Sequence, residues 1–95
     1  MRIEWAPQAL EDLASLYAFI AQDNPLAARR MVQRIVEAVE TLLPEHPHIG
    51  RAGRVPGTRE LAIADTPYVV PYRVHHSVLQ VLAVHHGARR WPEAF

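Results

Sequence analysis

Residues 68–95, YVVPYRVHHSVLQVLAVHHGARRWPEAF, constrain the fold more than any other stretch of the chain. Two dense apolar runs flank the short polar break His75-His76-Ser77. Val, Tyr and Leu dominate both runs, and such side chains suit a pleated, largely buried surface. The break has the length of a hairpin turn. The segment reads as a β-hairpin that the rest of the chain must cover. Its second run ends in His85, His86, Gly87, Ala88, Arg89, Arg90 and Trp91. A buried strand thus delivers imidazoles, guanidiniums and an indole to one edge of the fold.

What covers the hairpin lies upstream. Met1 to Trp5 reads as a short strand, with Ile3 and Trp5 on one face. Pro7 suits the first position of a helix, where its missing N–H has no helical partner. Leu10, Leu13, Tyr17 and Ile20 then make one apolar stripe over residues 7–22. Glu11 and Asp12 sit near the positive helix end. Asn24 and Pro25 are a good N-cap and first residue for a second helix over residues 25–43. Its stripe runs through Ala28, Met31 or Val32, Ile35, Val39 and Leu42, and Arg34 can meet Glu37 one turn on. The short link makes the helices an antiparallel pair. Residues 44–58, PEHPHIGRAGRVPGT, hold three Pro and three Gly and form the long loop. Arg59 to Ala64 is a third strand-like run, with Arg59-Glu60 as its solvated start. The expected architecture is a single α+β domain over residues 1–95, ordered β-α-α-β-β-β. A helical hairpin packs on a curved, mostly antiparallel four-stranded sheet.

Composition narrows the chemistry. The chain has no cysteine, which excludes disulfides, thiolate zinc sites and cysteine nucleophiles. No apolar run approaches the ~20 residues of a membrane span, and MRIEWAPQ carries no signal-peptide pattern, so a cytoplasmic protein is expected. Formal net charge is zero but unevenly placed: residues 1–45 carry four Arg against seven acids, and residues 46–95 six Arg against three. Every cationic residue other than His is Arg, the better fork for phosphate and carboxylate.

His85 and His86 are adjacent on a strand and point to opposite faces, so they cannot chelate one ion together. His46 and His48 lie in a loop that fixes no geometry, and neither a metal site nor a cofactor is expected. A general acid–base role for His85 or His86 is chemically open; a hydrogen-bonded polar strand end is the simpler reading. Arg51, Arg54, Arg59, Arg73, Arg89 and Arg90 come from a loop, strands and the C-terminal tail. Several could share one rim and suit phosphate or an acidic partner, and an Arg could stack on Trp91 or Tyr72. GRAGRVPG lacks the Lys-Ser/Thr pair of a P-loop, and neither Ser15 nor Ser77 sits in a nucleophile elbow.

Taken together, these phrases resemble the RelE/ParE superfamily of bacterial type II toxin–antitoxin toxins. The resemblance rests on Trp5-Ala6-Pro7, Ala9-Leu10-Asp12-Leu13, Asn24-Pro25-Ala27-Ala28 and Gly50-Arg51. It continues through Gly57-Thr58-Arg59-Glu60-Leu61, Tyr68 to Val74, and His85-Gly87-Ala88-Arg89-Trp91-Pro92. It implies the same fold, no cofactor, and a cognate antitoxin that wraps the toxin. It also implies operator DNA contacted only through that antitoxin, growth inhibition and plasmid stabilisation.

The superfamily divides by target. Where RelE-like mRNA interferases keep a strand Arg and a C-terminal Tyr, this chain has Val69 and Phe95. Arg89 matches an interferase Arg. The Arg-Glu-Leu and Tyr-Arg-Val phrases resemble the ParE branch, which implies inhibition by binding DNA gyrase. The alternative is a ribosome-dependent ribonuclease acting on mRNA through Arg73, His85, His86 and Arg89. It gains if Arg73, His85 or His86, and Arg89 converge on one concave face, and loses if they scatter or are buried in pairs. Expected contacts for target or antitoxin are Arg51, Arg54, Arg59, Arg73, Arg89, Arg90 and Trp91, with Leu16 and Val36 as helix positions left over from the sheet-facing stripe.

Overall fold

The computed structural model describes residues 1–95. In chain order the elements are β1 (Arg2–Trp5), α1 (Pro7–Ala21), α2 (Pro25–Glu37), a π-helical turn (Ala38–Leu42), β2 (Arg51–Ala52), β3 (Arg59–Ala62), β4 (Tyr68–His75), β5 (Val78–Val81) and β6 (His85–His86). The four expected strands are present. Two further two-residue strands, β2 and β6, extend the sheet, whose order is β1-β5-β4-β3-β2 with β6 also on β4. All pairings are antiparallel except β1 on β5, which is parallel.

Each element has a local cause. Asn24 Oδ1 accepts the Ala27 N–H at 3.0 Å, and Pro25 follows it as the first residue of α2. His76 takes the left-handed conformation at φ 56° in the turn between β4 and β5. The second helix leaves α geometry at Glu37. Ile35, Val39 and Leu43 are all fully buried, yet four-residue steps overshoot an α-helix face by about 40° each. The wider π turn absorbs that drift and keeps the three on the core side.

One face of the sheet is covered by the helices. Ala9, Leu13 and Leu16 of α1, with Ile35 of α2 and Val39 and Leu43 beyond it, pack on Leu61, Val70, Tyr72, Leu79 and Val81. The α1 stripe is therefore rotated from the expected one. Leu10 and Tyr17 are exposed, while Ala9 and Leu16 are buried. Ala9 lets the helix approach the sheet closely, which a larger residue there would prevent. Leu16 accordingly packs mostly into the core, and Val36 is half-buried against the same cluster. Arg34 pairs with Asp65 at 3.2 Å rather than with Glu37.

A bulge in the last strand shapes the site. Tyr72 pairs with Val81 and Val69 with His85. Two residues of β4, Val70 and Pro71, thus oppose three, Leu82, Ala83 and Val84. Leu82 N–H still bonds the Pro71 carbonyl at 2.9 Å, but Pro71 has no N–H to return. The extra residue leaves the Val84 N–H without a ladder partner, and Asp12 Oδ2 of α1 accepts it at 2.9 Å. Gln8 holds the other Asp12 oxygen at 2.9 Å. Asp12 is thus the tie between α1 and the bulge.

Candidate functional site

The second face of the sheet carries no helix, and the functional residues gather there. By strand alternation it presents Glu60 of β3, Val69, Pro71 and Arg73 of β4, Gln80 of β5 and His85 of β6. The tail after β6 folds back beside this face. A groove of about 870 Å³ runs between the tail (Arg90 to Pro92, Ala94 and Phe95) and residues 6–8, with Arg73, Gln80, Leu82 and His85 along it. A second groove, about 490 Å³, lies on the opposite side of β6 against α1, lined by Asp12, Leu16, Phe19, His86 and Arg89 among others. His85 and Arg90 touch both grooves.

Glu60 organises the rim. It is 2% exposed, not a solvated strand start as expected. Its Oε1 accepts from Arg51 Nη2 at 2.9 Å and Nε at 3.2 Å. Its Oε2 accepts the Arg54 backbone N–H at 2.7 Å and Arg54 Nε at 3.2 Å. Burial disfavours the ionised carboxylate, but the Arg54 N–H and the two guanidiniums outweigh it and hold the group below the usual carboxylate range. The Arg54 guanidinium then lies 3.9 Å from the centre of the Trp91 ring. This is the Arg–indole stack anticipated for Trp91. Trp91 also meets the His85 ring at 4.8 Å, and Phe95 lies 6.0 Å from His85. Glu60, Arg54, Trp91, His85 and Phe95 form one relay that fastens the tail to the sheet.

The remaining predicted residues divide. Arg59 donates to the carbonyls of His48 and Gly50, tying down the long loop. Tyr72 assists: its hydroxyl accepts the Gly50 N–H at 3.0 Å and donates to the Pro47 carbonyl at 2.8 Å. Burial raises the Tyr72 pKa above its ordinary value, against the opposing pull of the Gly50 N–H and Arg59. A Cβ on Gly50 would meet the Tyr72 hydroxyl at 2.7 Å, so glycine is required where the loop crosses that ring. Arg73, Arg89 and Arg90 take part in no ion pair. Arg73 and Arg90 line the open-face groove, and Arg89 the groove against α1. His86 packs edge-on to Tyr68, and its Nδ1 accepts the Ala88 N–H at 3.1 Å. His85 has its pKa lowered, chiefly by burial and further by Arg89 and Arg54, with Asp12 opposing. No group of three or more His, Asp or Glu side chains is placed to hold a metal ion.

Sequence reasoning missed Glu60, Asp12 and the loop-holding role of Tyr72. Glu60 had a signal. It is the one acid between residues 46 and 64, in a stretch with three Arg. Asp12 had none, because its partner is a backbone N–H 72 positions away.

Known proteins place this architecture. The family model described as "ParE toxin of type II toxin-antitoxin system, parDE" matches residues 3–91. The chain therefore belongs to the ParE toxin family of type II toxin–antitoxin systems. It is 46% identical to "Putative toxin Y4kP" of Sinorhizobium fredii, over 97% of this chain and 94% of that one. It is 35% identical to "Toxin RelE2" of Caulobacter vibrioides, over 93% of this chain and 97% of that one. Among solved structures it resembles one titled "Chromosomal ParDE TA system from P. aeruginosa", with a TM-score of 0.81 and 32% identity, covering 90% of this chain and 95% of that one.

Proposed function

We propose that the protein inhibits growth by binding DNA gyrase, acts in the cytoplasm, and is neutralised by a cognate antitoxin through which it also regulates its operon. Membership of the ParE family supports this. The observation that carries it is the division of the four candidate cleavage groups between two grooves. Arg73 lies on the open face, His86 and Arg89 lie against α1, and only His85 borders both. Cleavage by a ribose 2′-hydroxyl needs a base, an acid and a charge stabiliser around one phosphate. Val69 and Phe95, at the positions where the interferase relatives keep Arg and Tyr, add no such group. A toxin that works by occupying a target needs a shaped, chemically marked surface, and the fastened tail with its groove supplies one.

The antitoxin contact shifts from Leu16 to the apolar side chains left exposed on the helices, Leu10, Tyr17, Phe19 and Leu26. An amphipathic segment laid along them would bury that surface. Binding to the folded state raises stability, so the complex melts above the free toxin; equal melting temperatures contradict the neutralisation reading. Expression in bacteria tests the target. The expected result is an SOS response with gyrase trapped on DNA. Cleavage of mRNA at the ribosomal A site, without trapped gyrase, overturns it in favour of the ribonuclease.

A further inference from the structure

The chain holds two adjacent histidine pairs, and the fold treats them differently. On β6, His85 and His86 keep to opposite faces: His85 meets Trp91 and Phe95, and His86 meets Tyr68. At the other end of β4, His75 closes the strand and His76 opens the turn into β5. Side chains alternate only while a strand lasts. The left-handed His76, at φ 56°, ends that alternation, and the two rings come to 4.1 Å between centres with their planes 61° apart. Both residues are exposed. No side-chain hydrogen bond or ion pair within the chain uses either imidazole. The turn is also an unusual place for histidine. His75 pairs with Val78, so His76 and Ser77 are the whole connection, and two-residue hairpins favour Gly, Asn or Asp where φ is positive. A side chain kept where the backbone favours glycine points to a use for that side chain.

We propose that His75 and His76 form a two-imidazole chelate for a divalent late first-row metal ion, Cu²⁺, Ni²⁺ or Zn²⁺, with water completing the coordination. With metal–nitrogen bonds of about 2.0–2.1 Å, two neighbouring imidazoles on one ion have ring centres about 4–5 Å apart. The pair already stands at the near edge of that range. Nitrogen donors select these ions over Mg²⁺ and Ca²⁺, which take oxygen. The one carboxylate on the adjoining strand β1, Glu4, is engaged by Arg2 at 3.0 Å. Among the three ions the order of affinity puts Cu²⁺ first. The ion also fastens one edge of the sheet. Arg2 N–H bonds the Ser77 carbonyl at 3.1 Å, so the turn that the ion holds carries the start of β1. The site lies at the far end of β4 from β6 and lines neither groove, and it stands whichever target the toxin binds.

The test titrates the untagged, 15N-labelled full chain with Zn²⁺, and separately with Cu²⁺ and Mg²⁺, at neutral pH. Zn²⁺ is expected to move the ring signals of His75 and His76 together, at one ion per chain, and to leave those of His46 and His48 in place. Cu²⁺ is expected to bind more tightly and to broaden the amide signals from His75 to Val78 first; Mg²⁺ should move nothing. His75→Asn and His76→Asn each leave a single imidazole and should weaken Zn²⁺ binding at least about tenfold, the least that loss of even an outer-shell partner costs. Asparagine tolerates the left-handed turn, so His76→Asn should keep the metal-free Tm of wild type, and its lost binding is then not a loss of fold. Zn²⁺ should raise the Tm of wild type and of neither variant. Unchanged affinity in either variant, Mg²⁺ binding equal to Zn²⁺, ring shifts that begin at His46 or His48, or one ion shared between two chains each overturns the proposal.

Discussion

Glu60→Gln should loosen the tail and destabilise the whole fold. The wild-type carboxylate accepts five hydrogen bonds from Arg51 and Arg54 while itself 2% exposed. Glutamine keeps one acceptor but turns an amide N–H₂ toward guanidiniums that can only donate. Hydrogen bonds to charged groups contribute about 1.5–3 kcal/mol each in buried settings. That figure must be discounted, because the Arg51 and Arg54 side chains are 61% and 41% exposed and rehydrate when released. A net loss of about 2 kcal/mol remains, which for a domain of this size lowers Tm by about 8–16 °C. Thermal and urea unfolding followed by circular dichroism measure it. A second signature follows from linkage. The folded carboxyl binds its proton less tightly than the unfolded one, whose reference pKa is 4.5. Wild-type stability is therefore fully present above that value and falls as pH drops through the lower folded pKa. Glu60→Gln should lack this component. A Tm within about 2 °C of wild type, with an unchanged acid slope, would refute the argument that this carboxylate holds the rim together.

Three further outcomes follow from the same geometry. Tyr72→Phe removes the hydroxyl that bridges Gly50 and Pro47; it should lose about 1–2 kcal/mol in urea unfolding and speed exchange of the Gly50 amide. Asp12→Ala frees the Val84 N–H at the bulge, with a loss of about 1–2 kcal/mol and faster exchange at Val84, while β1 and β5 amides keep their protection. His85 has a folded pKa below its reference value of 6.5, so its neutral form stabilises the fold above that pH and the contribution is lost as pH falls through the window. An NMR titration should place His85 below its reference value of 6.5, and His85→Gln should flatten the stability profile there.

The hairpin and the helix pair were legible because local chemistry determines them. Val, Tyr and Leu in two runs around His75–Ser77 leave little but strands, and Asn24-Pro25 both ends one helix and starts the next. The rotation of α1 was not legible. Leu10, Leu13 and Tyr17 satisfy helical spacing as well as Ala9, Leu13 and Leu16 do, and the choice fell to the alanine that permits close packing. Nor was the bulge, since Leu82, Ala83 and Val84 are all apolar and pattern alone cannot count an extra residue. The site was half visible. The cationic residues and Trp91 could be named, but not that Arg51 and Arg54 are bound by Glu60 while Arg73 and Arg90 are left free. Those pairings span only nine and six positions, but they cross a loop rich in Pro and Gly whose path, and so which Arg reaches Glu60, no periodicity reports.

Incubation of the purified chain with DNA gyrase, supercoiled plasmid and ATP tests the central claim most directly. The account predicts linear plasmid released by detergent and protease, in proportion to toxin and abolished when antitoxin is added first. Plasmid that stays supercoiled at saturating toxin, together with mRNA cut on translating ribosomes by the same preparation, would contradict it.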